Sequence, residues 1–453
     1  MNEIGFTDEL LDRLRQQGDP LADSTVEAIF EKYSPGDVLD VLQRLVRIPA
    51  RAERPRLYER LGIDSELQDH LESFFRQSAS LPPWMDANRV RRGKEIYQQQ
   101  VFFTFVTLAC ASLPACYCWS PESSILGITG RLTRDVPSRL PETAQMVVDV
   151  MANEALFHGA EAAGPGLRAV VKVRLMHAVI RRLIMGRGKI ATALAREHGE
   201  GEDLERLREE KFFARFVVPE APDGNRSQAW NVARDGIPIN QEQLAATLLT
   251  FSYVTLKAIR QFRVRIADAD ERAFMHRWNV IGHLLGIDDA ITTRLEDTAD
   301  AEALFHKVMT RNRRPAIDGP ALEHALLDYL EANLARRAPI FSRLGGTRVA
   351  RILTWDLSGD DTAEVIGVRL GTGDRLYRIP LWAGLKLFGS LKNIRGLKIV
   401  SELLFRWLSD RLWGWRREAP TESETVSRRE MGRGDIVLPN TLAALSEDVR
   451  KRT

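Results

Sequence analysis

From Tyr97 to Pro121 the chain carries no charged residue, and Val101 to Ala115 is mostly apolar. A stretch of that length has two places to go: a lipid bilayer or the centre of a protein core. Hydropathy alone does not separate them. Thr104, Thr107, Ser112, Pro114 and Pro121 weigh toward the core. The expected outcome is a buried helix that the rest of the chain must wrap.

The wrapping is helical. Residues 22–48 read as two short amphipathic helices split at Ser34-Pro35-Gly36. Asp86 suits the N-cap of the helix that leads into the apolar stretch, and Ser138 suits the N-cap of the next, with Pro141 in its first turn. Further helices are expected over 164–187, from Gln241 to Val264, from Asp268 to Leu285 with a stop at Gly286, and over 319–336. β-prone runs such as Glu364 to Leu370 do not add up to a sheet. The fold class is therefore all-α: a single helical core over 83–345, an N-terminal helical segment over 1–82 packed on it, a basic amphipathic C-terminal segment over 346–416, and a mobile tail over 417–453.

The net charge of +2 over 453 residues points away from nucleic acid as a partner. Three cysteines argue against a disulfide framework and fit a reducing compartment. They read as small buried residues. The N-terminal run lacks an apolar core segment, so a cytoplasmic location is expected. Leu381 to Trp415 mixes tryptophans and leucines with lysines and arginines. It fits either peripheral contact with an anionic membrane over residues 381–415 or a helical pair packed on the core.

Motifs for a helix-borne zinc protease, a phosphate-binding loop and a nucleophile elbow are all missing, as is the CxxCH of a covalently attached haem. What remains is one imidazole. On a helix, Val170, Val173, His177, Ile180 and Ile184 share a face, with Arg174 and Arg181 at its margin. A neutral imidazole on an apolar wall can ligate iron, zinc or copper, and marginal arginines suit a flat cofactor bearing carboxylates. It can equally be a core histidine bonded to a carbonyl, and the stripe alone favours that reading. Arg139 and Thr143, four apart, border a second apolar face with Met146, Val147 and Val150, and Glu142 adjoins them. By themselves these residues make a capped helix start. Asp235 to Gln241, followed by Thr247 and Phe251, reads as a loop entering a helix capped by Asn240.

Taken in order, these pieces resemble the family of latex clearing proteins (rubber oxygenases) and MpaB-like oxygenases. The matching segments are Gly18-Asp19-Pro20-Leu21-Ala22-Asp23, Pro83-Trp84-Met85-Asp86, Arg92-Gly93, Ser112-Leu113-Pro114-Ala115-Cys116-Tyr117 and Thr129-Gly130-Arg131-Leu132. Arg139-Leu140-x-x-Thr143, Val173-Arg174-Leu175-Met176-His177-Ala178, Gly236-x-Pro238-Ile239-Asn240-Gln241 and Trp278-x-x-x-Gly282-x-x-x-Gly286 follow.

The resemblance implies an all-helical haem-binding core with non-covalent haem b. His177 stands in the place of the axial iron ligand, and Arg174 and Arg181 at the cofactor's edge. Arg139, Glu142 and Thr143 stand on the distal, catalytic side, and Glu122 is a further acidic candidate. Latex clearing proteins carry a lysine just before that threonine, able to take the iron's sixth position in a closed state. Here the residue is Glu142, and a carboxylate is no neutral amine ligand. The implied activity is a haem-dependent oxygenase using dioxygen to oxidise or cleave a C=C bond of a hydrophobic, isoprenoid or lipid-like substrate. A haem-binding sensor or carrier without that activity and a membrane-docking helical scaffold are the alternatives.

Overall fold

The computed structural model describes residues 5–33, 41–42, 44–45, 54–119, 123–126, 136–152, 154–158, 164–185, 232–312, 318–337 and 347–391. The Ser34-Pro35-Gly36 break, Glu122, residues 392–416 and the tail lie outside them, and the side chain of Arg139 is not described.

Short polar caps set where the helices begin. Helix α1 (Asp8–Arg15) starts at Thr7, whose side chain accepts from the Leu10 amide; α2 (Pro20–Lys32) starts at Asp19, which accepts from the Ala22 amide. Helices α3 (Arg54–Leu61) and α4 (Ser65–Ser78) complete the N-terminal layer. Asp86 caps α5 (Ala87–Thr107) at the expected place, accepting from the Asn88 and Arg89 amides at 2.8 and 3.1 Å.

The uncharged stretch continues α5 through a widened π-type turn, Leu108–Ser112, into α6 (Leu113–Tyr117). Pro114 has no N–H to offer the carbonyl four residues back, at Cys110, which favours the wider turn. Over Ala87–Tyr117 the apolar window is 72% buried inside the protein, the setting of a core helix. All three cysteines are buried, and none is in a disulfide.

Next come α7 (Val136–Ala152), α8 (Pro165–Met185) and a single turn, α9 (Val232–Asp235). Helix α7 begins ahead of Ser138, so Ser138 is no cap and Pro141 lies inside the helix. Pro137, pre-set for a first helical turn, accounts for the earlier start. A reciprocal Asn240–Gln243 capping box opens α10 (Gln241–Leu249). A second widened turn, Thr250–Val254, leads to α11 (Thr255–Gln261). The two widened turns meet: the Ser112 hydroxyl donates to the Thr250 carbonyl at 2.6 Å.

The last of the described helices are α12 (Asp268–Leu284), α13 (Asp289–Thr292), α14 (Thr298–Asn312), α15 (Gly319–Arg337), α16 (Thr347–Ser358), α17 (Asp360–Val365) and α18 (Thr372–Leu391). No strand occurs among the described residues, so the protein is all-α. The central pair is α5 on α12, joined by Arg92 bidentate to Asp270 at 2.7 and 2.9 Å. Arg277, fully buried on α12, donates to the Val90 carbonyl on α5 and the Val150 carbonyl in the last turn of α7, at 3.0 and 3.1 Å. A cation at a helix C-terminus is favourable. This one fixes α7 to the core even though burial lowers its pKa to about 10.

Helix α18 packs one face on the core through Trp382 against Phe262 and Phe388 against Phe102. Its other face leaves Leu376, Ile379 and Leu387 exposed at 70, 73 and 63%. The apolar surface thus begins ahead of the 381–415 segment, at Leu376.

Candidate functional site

Helices α7 and α8 pack side by side. A Cβ placed on Gly166, near the start of α8, would lie 2.9 Å from the Asp149 carbonyl near the end of α7. The joined ends therefore touch and the helices run antiparallel. At about 1.5 Å per residue, the rise from Gly166 to His177 on α8 brings α7 back to its first turns. Glu142 and Thr143 come level with Val173 and Lys172, and position 139 with Met176. Arg168 and Lys172 lie close enough to Asp149 to pull down a carboxyl that burial otherwise raises, which agrees with this register.

Helix α8 has two kinds of buried face. Val170, Val171, Leu175, Ala178 and Val179 are closely packed. Val173, Met176, His177 and Ile180 keep some accessible surface. His177 is nevertheless strongly desolvated: burial first, then the charge of Arg181, push its imidazole down to about 4, with Asp19 pulling the other way. No hydrogen-bond partner meets that ring among the described residues. Among those residues it is thus a neutral donor without a partner, the state in which an imidazole can ligate a transition metal.

Glu142, Thr143 and Met146 are likewise half-buried on α7. On α10 and the turn after it, otherwise buried, only Thr247 and Phe251 keep surface. No group of three or more metal-ligating side chains occurs among the described residues.

The two marginal arginines are placed otherwise than the stripe suggested. Arg174 is bidentate to Asp19 at 2.7 and 2.8 Å, and Arg181 pairs with Asp23 and with the Pro238 and Ile239 carbonyls. Both guanidinium groups face the N-terminal layer, so they brace α8 and do not reach for a cofactor's carboxylates. A buried guanidinium takes a fixed carboxylate wherever one is available. Asp19 and Asp23 went unrecognised as partners. The available signal was a four-residue spacing in Asp19-x-x-x-Asp23 matching two arginines on one side of a later helix.

Comparison with known proteins follows the same lines. The family described as "ER-bound oxygenase mpaB/B'/Rubber oxygenase, catalytic domain" matches residues 127–388. A rubber oxygenase of Streptomyces sp. (strain K30) is 23% identical over 282 residues, 60% of this chain and 56% of the relative. The chain thus spans about half the length of that protein. The solved structure of latex clearing protein LCP in the closed state superposes with a TM-score of 0.56 at 17% identity, covering 96% of this chain and 91% of that one. At that identity the likeness is one of fold.

Proposed function

Because the chain belongs to the catalytic-domain family of ER-bound oxygenase mpaB/B' and rubber oxygenase, we propose that it is an oxygenase holding a non-covalent haem b on His177. The carrying observation is the His177 imidazole, held neutral by burial on α8 and without a hydrogen-bond partner among the described residues. Haem bound there would supply the iron at which dioxygen is activated.

The protein's own groups do the rest. The apolar stripe of α8 keeps water from the ring. The Thr143 hydroxyl can donate a hydrogen bond into the space between α7 and α8, and Glu142 can hold or release a proton there. Arg139 belongs to the same turn of α7. The substrate class is a hydrophobic molecule with a C=C bond, isoprenoid or lipid-like. Cleavage places both oxygen atoms of dioxygen in two product carbonyls and balances without an outside reductant.

The test is haemin titration followed by oxygen uptake with polyisoprenoids and unsaturated lipids. A Soret band at one haem per chain and aldehyde or ketone products are expected. No Soret band sinks the haem reading, and haem binding without products with any lipid leaves a sensor or carrier.

A second reading concerns location. The exposed Leu376, Ile379 and Leu387, beside exposed Arg375, favour contact with an anionic membrane through α18. Aspartate at those three apolar positions is expected to abolish co-sedimentation with anionic liposomes; undiminished binding removes α18 from that role.

A further inference from the structure

The helix that carries His177 is held by charges from outside the matched family region, which begins at residue 127. Arg174 and Asp19 are 6 and 5% exposed, and their contact is bidentate, Nε to Oδ2 at 2.7 Å and Nη2 to Oδ1 at 2.8 Å. The remaining Arg174 arm donates to the Ser78 hydroxyl and the Leu284 carbonyl, both at 3.3 Å. Two turns on, Arg181 pairs with Asp23 and donates to the Pro238 and Ile239 carbonyls at 2.9 and 2.8 Å.

Gln241 ties the same knot, its side-chain amide donating to the Gly18 carbonyl at 2.6 Å and the Gly286 carbonyl at 2.9 Å. Gly286 is needed twice over: its φ is +85°, and a Cβ there would come 2.5 Å from Asp19 Oδ2.

His177 lies between the two braced arginines. Fixing a helix at two guanidinium groups, one on each side of the ligand's turn, fixes its height and its rotation about its own axis. A ligand side chain must be held within about 0.5 Å and 10–20° to be useful. We propose that Asp19 is a positioning residue of the His177 site: by clamping Arg174 it sets the direction of the imidazole, and its carboxylate biases an iron held there toward the ferric state. The inference rests on the haem reading. Asp19 also cancels the charge of Arg174, a buried guanidinium one turn from His177 on the same helix. Negative charge near an iron favours the more positive oxidation state.

The test uses the full chain loaded with haemin and reads the midpoint potential and the rate of haem loss to a scavenger. Asp19→Asn is expected to raise the potential by a tenfold change in the ferrous-to-ferric ratio, about 59 mV, and to speed haem loss at least tenfold. That variant leaves Arg174 charged and unpaired in the interior, which can prevent folding. The double variant Asp19→Leu with Arg174→Met removes both charges and keeps apolar volume. It is expected to fold and still lose haem at least tenfold faster, because α8 has lost its brace. Altered melting temperatures with an unchanged potential and an unchanged haem-loss rate overturn the inference and leave the pair purely structural. Wild-type protein without a Soret band overturns the haem reading itself, and this inference with it.

Discussion

His177→Ala is expected to lose haem binding by at least about 100-fold, more than the 10–100-fold typical of removing a ligand's outer-shell partner. The imidazole is the one nitrogen donor on its stripe, and the alanine methyl supplies nothing in its place. The fold should survive, since the ring's accessible surface shows that it is not closely packed. Two accompanying results separate ligand loss from general damage. Added imidazole should restore a Soret band by entering the space left behind.

The acid limb of apo-protein stability should change as well. A histidine whose folded pKa is depressed, here to about 4 from 6.5, contributes stability above the higher value that is lost as pH falls toward the lower one. Apo wild-type should weaken across that window, and apo His177→Ala should lack that component. An unaltered haem spectrum in His177→Ala places the iron ligand elsewhere.

Glu323→Met is expected to stabilise the protein by about 3 kcal/mol at pH 7. Glu323 on α15 is 1% exposed, and neither carboxyl oxygen has a hydrogen-bond partner of acceptable geometry. The Thr354 hydroxyl and the Cys110 thiol are its neighbours, and burial raises the carboxyl to about 8 from an ordinary 4.5. The folded chain must keep this group protonated while the unfolded chain ionises it. Stability is therefore full below pH 4.5 and declines toward pH 8, at about 1.4 kcal/mol per pH unit.

Methionine removes both the ionisation and the unmet hydrogen bonds at similar volume. Glu323→Gln should flatten the same pH dependence but gain less, because its amide N–H groups also lack partners. Urea unfolding from pH 5 to 8 distinguishes the cases. Parallel pH profiles for wild-type and Glu323→Met rule out Glu323 as the source.

Much of the fold was legible because it depends on local rules. Asp86 and Asn240 could be placed as caps, and Gly286 as a stop, since a cap needs only a side chain and the next few amides. The first turn of α7 was misread because Ser138 and Pro141 fit a helix start as well as Pro137 does, and the choice depends on how the chain enters the helix. Pro114 marks the widened turn at Leu108–Ser112, but the one at Thr250–Val254 left no clear signal: it meets the first across the interface, where Ser112 donates to Thr250. His177 was visible as an imidazole on an apolar stripe, but periodicity carries no information about what faces the stripe.

The sequence by itself determined that this chain is all-α, that its uncharged segment must lie in a core or a bilayer, and that His177 is its most suggestive donor. These follow from hydropathy and from helical periodicity, both properties of neighbouring residues. Only the tertiary structure decided that Arg174 and Arg181 brace the His177 helix against Asp19 and Asp23. Residues so far apart in the chain meet because a buried guanidinium needs a carboxylate, and only the packed layers determine which carboxylate is within reach.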